Sequence, residues 1–219
     1  ERKSRIISRR EKEITAYHEA GHALVGFILP HADPVQKVSI VSRGMAGGYT
    51  RSVPPEDRHI LTKDEFDDMI AMALGGRIAE ELTFRTITTG ASNDLETATS
   101  IARNMVTRYG MSRKLGPRTY GKREELIFLG REITEQRNYS EAVAEQIDQE
   151  VHDIIQAAYD TATGVLTTHK AKLIQIARHL MAHETVEGEP LQQLFKSEAP
   201  PIEAESTETI ETGPGPSDN

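Results

Sequence analysis

The stretch ITAYHEAGHALVGFIL, residues 14–29, is mostly apolar yet carries His18, Glu19 and His22. Burying a polar group without a partner costs free energy, and burying a charge costs far more. Two imidazoles and a carboxylate in such surroundings therefore need a reason. Positions four apart lie on one face of a helix, one turn apart, so His18 and His22 can reach a single cation. Glu19 points about 100° away from His18. It is not required as a ligand, but it can reach a water held at that cation. This is the His-Glu-x-x-His arrangement of two zinc ligands and a general base. Zinc polarises a scissile carbonyl and brings the pKa of its water down to around 7. Neutral imidazoles leave the ion cationic, and an open position admits water or substrate. The carboxylate takes the proton and passes it to the leaving amine. The competing reading is a pair of ordinary histidines satisfied within a core helix.

A third ligand is needed, and the extended pattern H-E-x-x-H-x-x-G-x-x-H does not supply it. Gly26 comes one place late, and Ile28 stands where a third His would be. The chain has no Cys, which excludes thiolate zinc sites, disulfides and a cysteine nucleophile. Carboxylates remain. Glu184 and Glu187 are distant in sequence, Asp68, Glu80 and Glu81 fall on a helix, and Asp94 stands at a loop-to-helix junction. A carboxylate at such a junction is favoured by the helix N-terminus in any case. Spacing alone leaves Asp94 and Glu80 both open.

The elements that must position these groups read mainly as helices. Three- and four-residue apolar spacing over 11–29 predicts a helix that Pro30 ends. The β-branched run VQKVSIVS, 35–42, predicts a strand. The glycine-rich RGMAGGYT, 43–50, suggests a turn and a second strand, and 52–59 reads as loop. A helix is expected over 63–84, with Phe66, Met69, Ile70, Leu74, Ile78 and Leu82 on one face. Gly75 and Gly76 interrupt it at about 1 kcal/mol each relative to Ala, which close helix–helix packing would explain. A further helix near 92–109 uses Leu95, Ala98, Ile101, Ala102 and Met105, with Gly110 as its stop. Residues 114–130 read as loop, with one more strand at LIFLG, 126–130. Ser140 can cap a long helix, another covers roughly 169–183, and a short one starts near Pro190. The expected fold is mainly α with a small β-sheet (α+β): a zincin-like helix carrying the histidines, then a C-terminal helical bundle. The expected divisions are a linker over 1–10, one domain over 11–197 and a disordered acidic tail over 198–219.

Bulk properties narrow the function. With 219 residues, 5% aromatics and no Trp, the core must be aliphatic. Net charge is −8, but residues 197–219 hold six acids and no Lys or Arg, leaving −2 for the rest. A nearly neutral body gives no case for nucleic-acid binding. No apolar run approaches the ~20 residues of a membrane span.

TAYHEAGHALV, followed about seventy residues later by TTGASNDLETATSIARNMV, resembles the FtsH family of membrane-anchored, ATP-dependent zinc metalloproteases. ALGGRIAEEL, YGMSRKLGP and IFLG extend the resemblance, in order, over about residues 10–195. It implies that His18, His22 and Asp94 hold one Zn2+ per chain and that Glu19 is the catalytic glutamate. Glu80 then reads either as a group that orients a ligand or as a structural ion pair. Gly47, Gly48 and Tyr49, in GMAGGYT, resemble the family's edge strand, to which an extended substrate could add. The family's N-terminal membrane anchor and its phosphate-binding ATPase loop have no counterpart in this sequence. The resemblance therefore implies the protease domain alone, binding zinc but not ATP. In the full-length protein it implies a homohexamer at the cell membrane, protease domain on the cytoplasmic side, degrading unfolded or membrane proteins.

The alternative from a different class is a non-catalytic helical oligomerisation domain, suggested by the long helices after Ser140. A zinc hydrolase of small amides is a third reading, but nothing in the sequence marks a small-molecule pocket. The histidines at 31, 59, 152, 169, 179 and 183 read as ordinary surface or packing residues.

Overall fold

A computed structural model describes residues 8–41, 47–54, 59–121 and 138–200 of the chain. The expected strand at 126–130, the stretch 42–46 and nearly all of the acidic tail lie outside the described residues.

The first helix, α1, spans Arg9–Ile28. Ser8 caps it in a reciprocal box: its hydroxyl accepts from Glu11 N, and Glu11 accepts from Ser8 N. Such a box satisfies two of the helix's orphan donors. The helix stops because Leu29 precedes Pro30, and the proline ring forces the preceding residue out of the helical region. Leu29 is indeed extended, at φ −75° and ψ 132°.

Two strands follow, β1 (Val35–Ser39) and β2 (Tyr49–Ser52), antiparallel to one another. The second long helix, α2 (Lys63–Phe84), begins at a Thr62/Glu65 capping box. A short 3-10 turn, Thr89–Ala91, leads into α3 (Ser92–Thr107). Ser140 caps α4 (Glu141–Thr168), and α5 spans Lys170–His183. A third strand, β3 (Thr185–Glu187), and α6 (Gly188–Lys196) close the described chain.

The strand order is β2-β1-β3, all antiparallel, so β2 forms one edge of the sheet. β3 was not expected from the sequence. Three residues cannot display an alternation, and they sit directly after a helix. The third strand is recruited by pairing: Val38 faces Val186 across the ladder, and Ile40 N donates to Glu184 O.

Helix α1 is central. It packs on α2 and α5 and under the sheet. Its C-terminal half, from His18 to Gly26, is buried all round. Close approach to α2 rests on small residues: a side chain on Gly21 would overlap Gly75 O, and a Cβ on Gly75 would lie 2.9 Å from Gly21 O. The packing expected of the glycine pair is thus carried by Gly75. Leu82 and Leu95, read on the apolar faces of their helices, are 36% and 37% exposed. Each stands in a terminal turn of its helix. The core itself is aliphatic, built around Leu24, Ile70, Leu74, Ile78, Met105 and Ile147.

Candidate metal centre and active-site cleft

His18 and His22 project from α1 toward α2 and the N-terminus of α3. His22 Nδ1 lies 2.8 Å from the carbonyl of Met72. A carbonyl only accepts, so Nδ1 carries the proton and Nε2 presents a lone pair. His18 Nδ1 lies 2.7 Å from Glu80 Oε1, which accepts its proton. Both Nε2 atoms therefore turn inward, 3.0 Å apart. Asp94 Oδ2 stands 3.1 Å from His18 Nε2 and 3.5 Å from His22 Nε2. Among the described residues, His18, His22 and Asp94 are the one group of three such side chains able to hold a metal ion.

Three atoms with lone pairs converge here, and a cation must reconcile them. A tetrahedral ion about 2.0–2.1 Å from each ligand would set the triangle's edges at about 3.3 Å. The observed edges of 3.0, 3.1 and 3.5 Å bracket that value. The donor set, two imidazole nitrogens and one carboxylate oxygen, suits zinc. Space for it is kept by Gly76: a Cβ there would come within 2.5 Å of His22 Nε2 and 2.6 Å of His18 Cε1. The residues present therefore fit the ion.

The electrostatics agree. Burial alone would lower the His18 pKa, but hydrogen bonds to Asp94 and Glu80 outweigh it and push it up to about 9. Burial would raise Asp94, yet hydrogen bonds to His18 and His22 hold its carboxyl well below the usual range. Glu80 behaves likewise, lowered by His18 and by Thr88 N, which donates to its Oε2 at 3.0 Å, against the opposing effect of burial. The two carboxylates left open by spacing thus take opposite sides of one imidazole: Glu80 at Nδ1 and Asp94 at Nε2. Asp94 lies in the first turn of α3. Ala91 is the N-cap of α3 and makes no side-chain cap bond.

Glu19 follows His18 on α1 but turns toward the sheet. It is 5% exposed, and burial raises its pKa against the lowering effect of His22 and Thr50. Thr50 Oγ1 donates to Glu19 Oε2 at 2.8 Å. A cleft of about 880 Å³ opens over these groups. Its walls include Gly47, Gly48, Tyr49 and Thr50 on the strand side and Thr88 to Gly90 with Asp94 on the other. The structure therefore brings every expected site residue to one cleft: His18, Glu19, His22, Glu80, Asp94, Gly47, Gly48 and Tyr49.

The other carboxylates weighed from the sequence stand elsewhere. Glu184 pairs with Lys12, Glu187 with Lys37, Asp68 with His31, and Glu81 accepts from Tyr159.

Residues 5–194 match peptidase family M41. The chain belongs to peptidase family M41. Its M41 relatives include ATP-dependent zinc metalloprotease FtsH 1 of Sphaerobacter thermophilus, 59% identical over 91% of this chain and 31% of that protein. FtsH 1 of Thermomicrobium roseum is 58% identical over the same shares, and FtsH of Chloroflexus aggregans 54%. The Chloroflexus match likewise covers 91% of this chain and 31% of the relative. The chain thus spans about a third of the length of these curated relatives. The resemblance to FtsH read from the motifs holds for this M41 chain. So does the α+β architecture expected with it. Among the described residues no helix is long and apolar enough to cross a membrane.

Two residues of the candidate site were not singled out from the sequence. Gly76 read as a packing glycine, and Thr50 read as the unremarked end of a glycine-rich turn. Neither carries a local signal for its role, because both act on α1 from elements distant in sequence.

Proposed function

We propose that this chain is the zinc endopeptidase unit of a longer ATP-dependent protease. The observation that carries the reading is the convergence of His18 Nε2, His22 Nε2 and Asp94 Oδ2 on one point, beside a buried carboxylate and below β2, an edge strand among the described residues. In this reading His18, His22 and Asp94 hold one Zn2+, Glu19 is the general base and Glu80 orients His18.

When bound, zinc supplies a Lewis acid for the scissile carbonyl and lowers the pKa of water. Glu19 takes the proton of the attacking water and delivers it to the leaving nitrogen. Its Oε2 is engaged by Thr50, so Oε1 is assigned that proton. A raised pKa suits the task, since a base works best with a pKa near the operating pH. Glu80 keeps the proton of His18 on Nδ1 and so keeps Nε2 turned toward Asp94. Met72 O does the same for His22. The edge of β2 receives an extended polypeptide by backbone hydrogen bonds, a mode that reads shape more than sequence. Unfolded chains, including extracted membrane proteins, present such strands.

The relatives are named ATP-dependent, and this chain spans about a third of their length. ATP use, membrane anchoring, placement on the cytoplasmic side and homohexamer assembly are accordingly proposed for the whole protein.

The test is metal analysis combined with proteolysis. The parent chain should bind about one zinc and cleave casein, with chelator abolishing cleavage and zinc restoring it. Glu19→Gln should keep the zinc and lose cleavage, while Asp94→Ala should lose both. A metal-free parent that cleaves casein fully would overturn the reading. An inactive parent that still assembles would favour a non-catalytic oligomerisation domain.

A further inference from the structure

We infer that Thr50 is a positioning residue for Glu19, so that the strand lining the cleft also sets the aim of the base. The inference rests on Glu19 acting as the general base. Its geometric ground is independent of that. Strand β2 lays one face against α1 at Glu19. Side chains alternate along a strand, so Gly48 and Thr50 share this inward face. Gly48 brings the backbone down onto the carboxylate: a Cβ there would lie 2.8 Å from Glu19 Oε1 and 2.9 Å from Glu19 Cγ. Among the described residues Thr50 then supplies the directed contact, its hydroxyl 2.8 Å from Oε2 and 3.2 Å from the Glu19 carbonyl. A hydroxyl has a single proton, and the shorter contact assigns it to the carboxylate.

The consequence is a division between the two oxygens. Oε2 is held by the strand, and Oε1 is left for proton transfer. A carboxylate on three rotatable bonds would otherwise swing between rotamers, and displacement of a reacting group by about 1 Å can cost about a hundredfold in rate. β2 is an edge strand whose partner is β1. Its backbone can therefore engage a substrate while its inward face fixes the base.

The test uses the zinc-loaded chain and a fluorogenic unfolded peptide. Thr50→Val keeps the β-branched shape and removes the hydroxyl. We expect kcat to fall about ten- to hundredfold, with KM within about twofold and zinc content unchanged. Thr50→Ser, which restores the hydroxyl, should recover most of kcat. A second readout does not involve turnover. Thr50→Val should lower the thermal midpoint by about 4 °C in the parent but by about 1 °C in a Glu19→Ala background. Unchanged kcat in Thr50→Val, or equal destabilisation in both backgrounds, overturns the proposal. If Glu19→Gln proves as active as the parent, the base role itself fails, and the thermal cycle alone still reads whether Thr50 holds the carboxylate.

Discussion

Glu80 Oε1 accepts the Nδ1 proton of His18 at 2.7 Å, from a side chain that is 1% exposed. The carboxylate thereby fixes which nitrogen of His18 is free to bind a cation. Its own second oxygen is anchored by Thr88 N, in the loop that leads to Asp94. Glu80 thus couples one proposed ligand to the segment that delivers another. Removing such a partner typically costs 10–100-fold in metal affinity. Glu80→Ala is expected to weaken zinc binding by about that factor. Glu80→Gln keeps an acceptor for Nδ1 and should lose less. Competition against a zinc chelator measures both, and equal affinities for parent and Glu80→Ala would refute the role.

A second buried carboxylate makes a pH prediction away from the metal. Glu150, on α4, accepts from Ser112 Oγ at 2.5 Å and pairs with Lys114 Nζ at 2.9 Å. Burial would raise its pKa, but these two donors outweigh it and hold the carboxyl below its ordinary value. A depressed folded-state pKa contributes stability that is present above the unfolded pKa and lost as pH falls through the folded one. Glu150→Gln should therefore lower the thermal midpoint at pH 7. The gap from the parent should narrow as pH falls from the ordinary glutamate range through the depressed folded-state value. Scans at pH 7 and pH 3 decide it, and a gap that persists undiminished at pH 3 would contradict the assignment.

Much of this fold is legible because its elements announce themselves locally. Lys63–Phe84 has both a capping box and a continuous apolar stripe, and Pro30 stops α1 through the residue before it. His18, Glu19 and His22 were readable because one helix fixes their mutual spacing. The proposed third ligand was not, since Asp94 reaches the histidines across the fold and its position mimics a helix cap. Only the FtsH-like motif named it. Thr50, Gly76 and β3 were illegible for the same reason: what each does depends on a neighbour supplied by tertiary packing. Leu82 and Leu95 failed in the opposite direction, because apolar spacing reports a stripe without reporting where its cover ends.

Three helical glycines allow that distinction to be measured. A Cβ on Gly164 of α4 would meet nothing within 4 Å. Gly164→Ala should therefore stabilise the chain by about 0.5–1 kcal/mol, through helix propensity alone. Gly75→Ala would press on Gly21 O and on Val25 Cγ2 at 3.1 Å. It should destabilise the chain by about 1–3 kcal/mol, as overpacking does. Gly76→Ala differs in kind, because the atoms it meets are the two imidazoles. Those rings cannot simply turn away, since Met72 O and Glu80 pin their far nitrogens. The added methyl should spread or rotate the ligand pair and abolish zinc binding, with far-ultraviolet circular dichroism unchanged. Denaturant midpoints in the presence of chelator, set beside zinc titrations, separate the three effects. Zinc affinity preserved in Gly76→Ala would show that the histidines tolerate a Cβ at that position.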